Sequence, residues 1–364
     1  MYSFEPTDEQ QMLIDAIHKY ALNDLRAKAH DADEEGKFPP GLVEKGWEIG
    51  VLQASIPEDC GGFGDHSTVT GVLAAEELAW GDMAGALAVL TPGLFAIPLT
   101  LAGSADQKEE FLASICESEW LPYTAALIEP HFDFDPNELR TTAVQDENGY
   151  VISGSKTYVP FAADAQAMII YANLNGESQG FLVRKGIEGI QVGERQKLMG
   201  IDALPVYELT LNNLRVNLDD RLGGEAGHEF APILDASRVA MAAIGVGLSR
   251  AALEYAIEYA KDRDVFGVKV AQKQAIAFML AEMATELEAI RLLTWEAAWL
   301  LDQGKEEASK HAYLALIGAT DMVMMVTDRA VQVLGGHGYI REHPVELWMR
   351  NGRGIAMLNG LAIV

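Results

Sequence analysis

The sequence has only two cysteines, no long apolar run and half as many basic as acidic residues. Cys60 and Cys116 are too few for a disulfide framework, which fits a reducing compartment. No run of about 20 uninterrupted apolar residues occurs, so a membrane-spanning helix is not predicted. The first residues lack a basic start followed by an apolar run, so no secretory signal is expected. Together these absences predict a cytoplasmic protein.

The charge balance excludes one class of partner. With 27 basic and 54 acidic residues, the formal net charge is −27. A surface this acidic repels phosphate backbones and anionic lipid, so we expect no nucleic-acid partner. An anionic small ligand would have to be bound by local Arg and Lys side chains or by helix N-termini.

The order of sequence patterns predicts an α+β protein in three parts. With 364 residues, of which 49% are hydrophobic, the chain can bury two or three packed cores. We predict an N-terminal helical bundle over 1–120, a small β-barrel or sandwich over 121–225, and a C-terminal four-helix bundle over 226–364. Apolar residues at helical spacing predict helices over 7–36, 41–52, 67–80, 82–102, 105–118, 228–262, 271–303, 305–335 and 343–358. Short β-type runs predict strands at Tyr150–Ser153, Ala167–Tyr171, Gly180–Val183, Ile190–Val192, Tyr207–Leu211 and Leu214–Val216.

Two conspicuous motifs in the N-terminal part are interpreted as structural. The Gly-rich stretch IPEDCGGFGD, residues 56–65, has no lysine or hydroxyl of the phosphate-loop type and predicts a turn. Glu76 and Glu77 are adjacent on a predicted helix, so their side chains point in different directions. This spacing does not predict an acid/base pair.

A set of motifs in a fixed order resembles the acyl-CoA dehydrogenase family over essentially the whole chain. The last of them, QVLGGHGYIREHPVELWMR, begins at the end of one predicted helix and runs through a Gly-Gly break into the next. The full set is IPEDCGGFG at 56–64, GSADQKEEFL at 103–112, IEP at 128–130, SGSK at 153–156, RVNLDDRLG at 215–223, RDVFGVKVAQKQAIAFMLAEMA at 263–284 and QVLGGHGYIREHPVELWMR at 332–350.

The resemblance implies a FAD enzyme that removes hydrogens from Cα and Cβ of an acyl-CoA substrate and passes electrons to an electron-transfer flavoprotein. Such chemistry needs a carboxylate base for the α-proton and hydrogen bonds to the thioester oxygen. It also needs a flavin placed near Cβ. In the family, one chain holds the flavin ring while another chain grips the ADP half of the same FAD.

The residues that grip ADP match the family pattern. Arg263, Phe266 and Gln274 match the positions that meet the pyrophosphate and adenosine, and Val265 departs from the usual hydroxyl residue. An Arg offers forked donors to a diphosphate. The second ADP-side element is matched by Gln332, Gly335 and Gly336.

The flavin-ring side departs from the family pattern. Ile128 stands where a hydroxyl residue usually precedes the Glu-Pro pair, and the acidic HFDFDP, residues 131–136, replaces a small Gly/Ser run. After Lys156 the family has a Trp-Ile-Thr type run, whereas this chain reaches Pro160, which has neither an N–H nor a hydroxyl. We therefore expect that this chain does not hold a flavin ring in the ordinary manner.

The carboxylate base is missing from both positions where the family places it. Asn359, before Gly360, stands at the usual position, and Ser237 stands at the minority position. Neither side chain can act as a carboxylate base near neutral pH. Arg238, next to the minority position, is a candidate substrate-binding residue.

Three hypotheses follow for the whole chain. The leading one is the non-catalytic partner of a heteromeric acyl-CoA dehydrogenase, as in a heterotetramer, because some bacterial members pair unlike chains for bulky substrates such as steroid side-chain thioesters. The second is a self-sufficient homo-oligomer in which Glu225 or Glu229 replaces the base; Asp235 lies about 200° around the helix from Ser237 and would face elsewhere. The third is a flavin-free scaffold that binds a partner or a CoA ester, for which an ADP grip would be unnecessary.

Overall fold

The computed structural model describes residues 5–117 and 119–364 and confirms the α+β class, with helices, then strands, then helices along the chain. The first predicted helix begins where expected, because Thr7 Oγ1 accepts a hydrogen bond from the Gln10 amide and the Gln10 side chain accepts one from the Thr7 amide. This helix is α1 (Asp8–Tyr20), a π-helical stretch (Ala21–Arg26) and α2 (Ala27–Glu35) in direct succession.

The remaining N-terminal helices correct two predictions. The helix expected over 41–52 ends at Trp47 and is followed by turns and a 3₁₀ helix at Gln53–Ser55. The expected single helix over 82–102 is two helices bent by 47°, because Pro92 has no N–H with which to continue the first of them. Asp82 caps the first, its Oδ2 accepting from the Gly85 amide at 2.7 Å. The Gly-rich stretch 56–65 is a turn, as predicted. The helices are α3 (Leu42–Trp47), α4 (Thr68–Gly81), α5 (Met83–Leu90), α6 (Gly93–Ala102) and α7 (Ala105–Glu117), and Ser118, the predicted end of the last, lies outside the described residues.

The middle of the chain is a seven-stranded sheet with the order β1-β4-β2-β3-β7-β6, in which β5 pairs with β4. Its strands are β1 (Tyr123–Ala126), β2 (Thr142–Asp146), β3 (Gly149–Pro160), β4 (Ala167–Leu174), β5 (Glu177–Arg184), β6 (Ile190–Arg195) and β7 (Val206–Val216). Sequence reasoning missed β1 and β2, which are short and contain few β-branched residues. It also divided β7 in two, because Asn212-Asn213 has turn chemistry; Asn213 adopts a φ of 51° inside the strand.

The C-terminal part is the predicted helical bundle. It consists of α8 (Ala231–Asp262), α9 (Gln274–Asp302), α10 (Ala308–Leu334) and α11 (Val345–Arg353), with a small hairpin of β8 (Asp264–Val265) and β9 (Val268–Lys269) between α8 and α9. By length and composition α8 could cross a membrane, but most of it is buried against the rest of the protein, which is typical of a core helix. The domain bounds at 120 and 225 stay a prediction.

Two buried carboxylates fasten α4 to the C-terminal bundle. Arg250 on α8 donates to Glu76 Oε1 at 2.8 Å and to Glu77 Oε2 at 2.5 Å. Glu76 also accepts from the Arg291 and Trp295 side chains of α9. Because buried charges are tolerated when they are paired and hydrogen-bonded, these residues have a structural role, in agreement with the sequence interpretation.

Candidate functional site

The predicted ADP-gripping residues lie at one end of the C-terminal bundle. The β8–β9 hairpin joins the end of α8 to the beginning of α9, which brings Arg263 and Gln274 to that end. Tyr259, one turn before Arg263, contacts the end of α10, its hydroxyl lying 2.8 Å from His337 Nδ1 and 3.5 Å from the Leu334 carbonyl oxygen. The two sequence elements are about 70 residues apart, and the helix packing places them at the same end of the bundle.

The polar side chains of this group are available to a ligand. Arg263 is exposed and forms no ion pair with any residue that the structure describes, whereas nearby Lys261 and Lys269 pair with acidic neighbours. Gln274 and Gln332 are also exposed. A free guanidinium beside two amide side chains is a donor set suited to a diphosphate.

Phe266 has an unusual conformation and an unusual exposure. It and Gly267 form the two-residue turn of the hairpin, with φ angles of 56° and 80°. A bulky residue is rarely found in the left-handed region, and its persistence there often marks a functional position. The ring is 94% exposed and lies 5.4 Å from the Lys273 ammonium. An aromatic surface held rigidly in solvent is suited to stacking against a planar ligand or a partner chain.

Gly335 and Gly336 both end α10 and leave an open surface. Gly335 adopts φ 59° and ψ −128°, a conformation essentially restricted to glycine. No atom lies within 4 Å of the point where a Cβ would stand on either residue. The pair therefore allows close approach of a ligand beside Gln332.

Neither base position carries a carboxylate, and both face the same short segment of chain. Ser237 is buried, and its Oγ donates to the Ala362 carbonyl oxygen at 2.7 Å. Asn359 lies three residues before Ala362, and its buried Oδ1 has no hydrogen-bond partner among the described residues. Ser237 and Gly360, the residue after Asn359, line one cavity, so the two positions predicted from separate motifs lie on neighbouring elements. Neither side chain can remove a proton as a carboxylate does.

Arg238 is occupied by an intramolecular ion pair. Its Nη1 lies 2.8 Å from Asp235 Oδ1, and its guanidinium carbon lies 5.2 Å from the Tyr313 ring centre. Asp235 also accepts a hydrogen bond from the Ser309 hydroxyl. Asp235 thus has its own partners on another face of α8 from Ser237, as the helical angle predicted.

The interior next to Ser237 holds no relocated carboxylate. The cavity there has a volume of only about 20 Å³, and among the described residues no Asp or Glu lines it. Glu225 and Glu229 are exposed. The lining residues are Leu94, Pro98, Ala125, Leu127, Tyr171, Phe230, Ile233, Leu234, Ser237, Gly360 and Ile363.

The backbone donors at the end of β3 are already in use. The Tyr158 amide donates to Gln196 Oε1 at 3.1 Å, and the Phe161 amide donates to the Pro205 carbonyl oxygen at 2.8 Å. Tyr158 and Phe161, on either side of Pro160, have φ angles of 54° and 52°, so this segment is held in an uncommon conformation. The 196–205 loop therefore takes the donors that a planar ring lying here would need.

Glu129 and Lys156, from the IEP and SGSK motifs, form a buried ion pair that sequence reasoning did not predict. Lys156 Nζ lies 2.9 Å from Glu129 Oε1 and donates also to the Leu127 carbonyl oxygen. Burial lowers the pKa of Lys156 to about 8. Burial raises the pKa of Glu129, but Lys156 and the Thr141 amide outweigh this effect and bring it down to about 2. Both groups are thus structural charges at neutral pH.

The acidic insert 131–136 folds on itself. His131 lies between two carboxylates, with Nε2 3.0 Å from Glu129 and Nδ1 3.1 Å from Asp133. Arg140 closes the loop through a 2.5 Å ion pair with Asp133. Phe132 is fully exposed at the tip. The insert therefore offers side-chain charge and an aromatic ring where small residues were expected.

A helical–β–helical chain with an exposed group of one Arg and two Gln side chains at one bundle end has the architecture of a flavin-dependent acyl-thioester dehydrogenase. Sequence models of the acyl-CoA dehydrogenase N-terminal, middle and C-terminal domains match residues 7–119, 124–214 and 231–362. The chain belongs to the acyl-CoA dehydrogenase family.

Three relatives illustrate the similarity. The mitochondrial short-chain specific acyl-CoA dehydrogenase of Sus scrofa is 32% identical, covering 96% of this chain and 86% of that protein. The caffeyl-CoA reductase-Etf complex subunit CarC of Acetobacterium woodii is 32% identical, covering 98% and 96%. The structure of butyryl-CoA dehydrogenase from Megasphaera elsdenii has a TM-score of 0.89 at 30% identity, covering 100% of this chain and 96% of that chain.

FAD is the cofactor of this family, and the two halves of the cofactor fit this chain differently. The ADP half fits, because Arg263 is exposed and unpaired among the described residues, and Gly335 at the same end of the bundle has open space where a Cβ would stand. The flavin-ring half does not fit in the family's usual manner. The backbone amides of Tyr158 and Phe161 donate to Gln196 and to the Pro205 carbonyl oxygen and are not free for a ring. This asymmetry matches the contrast between the two sets of motifs.

Proposed function

We propose that this chain is the non-catalytic subunit of a heteromeric acyl-CoA dehydrogenase. It supplies the ADP-side grip for a FAD whose flavin ring lies on a different, catalytic chain, which also carries the base. The complex performs α,β-dehydrogenation of an acyl-CoA thioester, and only half of its possible sites are active. A heterotetramer of two chains of each kind is the simplest such assembly.

One observation carries the proposal: both base positions hold residues that cannot ionise, and the interior beside them is closed. Ser237 is hydrogen-bonded to the chain itself, and the adjoining cavity has room for about one water molecule. Abstraction of an α-proton needs a carboxylate within hydrogen-bond reach of the substrate. Asn359 cannot supply one, and Glu225 and Glu229 are exposed, which argues against a relocated base.

The exposed grip supports a role in FAD binding rather than a flavin-free scaffold. In our proposal Arg263 donates to the diphosphate, while Gln274 and Gln332 hydrogen-bond the adenosine portion. Phe266 provides an apolar surface, and Gly335 and Gly336 allow close approach. The two-electron chemistry belongs to the flavin, and this chain contributes binding energy and orientation.

The proposal also includes an electron acceptor and a cellular compartment. A relative whose name places it in an Etf complex supports an electron-transfer flavoprotein as acceptor for the assembled enzyme. The net charge of −27 argues against nucleic acid, and the burial of α8 argues for a core helix rather than a membrane span. We propose that the complex works in the cytoplasm.

Purification of the chain alone tests the proposal. We expect weak FAD binding and no oxidation of butyryl-CoA or octanoyl-CoA. Stable flavin absorbance with turnover by the lone chain would favour the self-sufficient homo-oligomer. If the chain assembles with a catalytic partner and Arg263→Ala leaves the FAD content of the complex unchanged, the flavin-free scaffold would be favoured instead.

A further inference from the structure

The segment Leu361–Val364 is packed into the interior between the N-terminal helices and α8. Its four residues are at most 4% exposed. Gly71 makes room for it, because a Cβ there would lie 2.5 Å from Val364 Cβ, and Gly93 borders it, with a Cβ position 3.4 Å from the Ile363 carbonyl oxygen. The hydrogen bond from Ser237 Oγ to the Ala362 carbonyl oxygen fixes its middle.

Ile363 and Val364 lie against two small apolar cavities. Ile363 lines the cavity beside Ser237, and together with Val364 it lines a second one toward α3 and α5. Each cavity has a volume of about 20 Å³, close to that of one water molecule. The second cavity is lined by Gly46, Trp47, Val51, Leu52, Ser55, Gly71, Val89, Leu90, Gly93, Ile97, Ile363 and Val364.

Given the proposed function, the location of this segment bears on whether a substrate can reach the two base positions. A base at position 359 or 237 must come within hydrogen-bond reach of the substrate α-carbon. In this chain the Ser237 hydroxyl oxygen instead lies 2.7 Å from a backbone oxygen of the segment, the Ala362 carbonyl oxygen. From that point Ile363 and Val364 continue into the apolar interior between the N-terminal helices and α8.

We propose that Leu361–Val364 occupies the acyl-binding site of this chain, so that its own site accepts no acyl group. The substrate of the complex is then bound only by the catalytic partner. This inference rests on the proposed non-catalytic role, and it adds a second cause of inactivity besides the missing base. It also predicts that an open apolar site appears when Ile363 and Val364 are replaced by residues with smaller side chains.

The test compares the wild-type chain with Ile363→Ala/Val364→Ala, using isothermal titration calorimetry with butyryl-CoA and with CoA. We expect the wild type to bind both equally, and the variant to bind butyryl-CoA at least tenfold more tightly than CoA. Benzene provides a second probe that does not depend on CoA, because a dry apolar cavity lined by Leu, Ile and Phe binds it. Benzene should raise the Tm of the variant and leave that of the wild type unchanged.

A control is Ile152→Ala, which removes the same three carbons as Ile363→Ala, but from the core of the middle sheet. It should gain no acyl preference. If the double variant does not fold, Val364→Ala alone serves. A wild type that prefers butyryl-CoA tenfold over CoA would overturn the inference, as would a folded variant that shows neither acyl preference nor stabilisation by benzene. Acyl preference without turnover would leave the proposed function intact, whereas turnover by the lone wild type would contradict that function itself.

Discussion

Ser237 Oγ and the Ala362 carbonyl oxygen are 2.7 Å apart, and this hydrogen bond joins the two places where a catalytic carboxylate could have stood. Asn359 is only three residues from Ala362. The missing carboxylate and the small cavity beside Ser237 are the observations on which we base the proposal that another chain performs the proton abstraction.

Restoring the usual carboxylate should not restore catalysis. We expect Asn359→Glu in the lone chain to show no oxidation of butyryl-CoA, because the flavin-side amides and the interior remain occupied. The measurement is reduction of an artificial electron acceptor at saturating substrate. Asn359→Gln, which has the same size without the charge, is the control. Turnover in the Glu variant alone would show that the base was the only missing part.

Removing Arg263 should weaken FAD retention by the assembled complex. One charge-assisted contact contributes about 1.5–3 kcal/mol, so Arg263→Ala should raise the Kd for FAD roughly 10- to 100-fold. Arg263→Lys should recover only part of this, because an ammonium cannot donate in a fork. FAD per complex is read from absorbance after gel filtration. Arg215→Ala, at an exposed Arg that pairs with Asp146, is the control and should retain FAD fully.

Phe266 should show a trade-off between stability and binding. Phe266→Gly relieves a left-handed φ of 56°, so the variant chain should be as stable as wild type or more stable by up to about 1 kcal/mol. The same variant should lose FAD from the complex because the aromatic surface is gone. Urea unfolding and FAD content are measured on the same preparation. A Phe266→Gly complex with full FAD content would exclude a ligand role for the ring.

The buried Glu129–Lys156 pair should produce a defined pH dependence of stability. The pKa of Glu129 falls from its usual 4.5 to about 2 on folding, so its contribution of about 2–3 kcal/mol is present above pH 4.5 and is lost as the pH falls toward 2. The pKa of Lys156 falls from 10.5 to about 8, so its protonation opposes folding at neutral pH, and this cost is relieved between pH 8 and 10.5.

Substitution separates these two effects. Glu129→Gln leaves the Lys156 charge buried without a partner and should cost about 3–5 kcal/mol at pH 7. It should also remove the Glu129 share of the acid dependence below pH 4.5. Glu129→Gln/Lys156→Met should recover much of the loss. Urea unfolding at several pH values provides the data, and an unchanged acid slope in Glu129→Gln would contradict the assignment.

The packing of Val364 against Gly71 can be tested by a double-mutant cycle. Gly71→Ala places a methyl group where Val364 Cβ would be 2.5 Å away, and should cost about 1–3 kcal/mol. Because Val364→Gly removes that atom, the two changes should be less than additive by about 1 kcal/mol or more. Additive free energies of unfolding would mean that the two residues do not touch in solution.

Local pattern was enough to predict most of the helices. The capping box of Thr7 and Gln10 predicted where the first helix begins, because a capping box is a short-range feature of the sequence. The break at Pro92 was missed because the apolar spacing continues on both sides of it. β1 was missed because YTAA is only four residues long and pairs with β4, which lies more than 40 residues away in the chain.

At the candidate site, residue types could be predicted from the sequence, whereas contacts between distant parts of the chain could not. Motif positions alone identified Asn359 and Ser237 as lacking a carboxylate, since a side-chain type is visible in sequence. The burial of Leu361–Val364 was not foreseen, because it depends on glycines at 71 and 93 in another part of the chain. The Glu129–Lys156 pair was missed as well, because nothing in the sequence says which buried charges meet.

The most direct test is the FAD content and the activity of this chain when it is expressed alone and when it is co-expressed with a catalytic acyl-CoA dehydrogenase-like chain from the same genome. We predict that the lone chain has little FAD and no turnover. The co-expressed complex should carry one FAD for each pair of unlike chains and should oxidise its acyl-CoA substrate. A lone homo-oligomer carrying one FAD per chain and oxidising acyl-CoA would contradict the account.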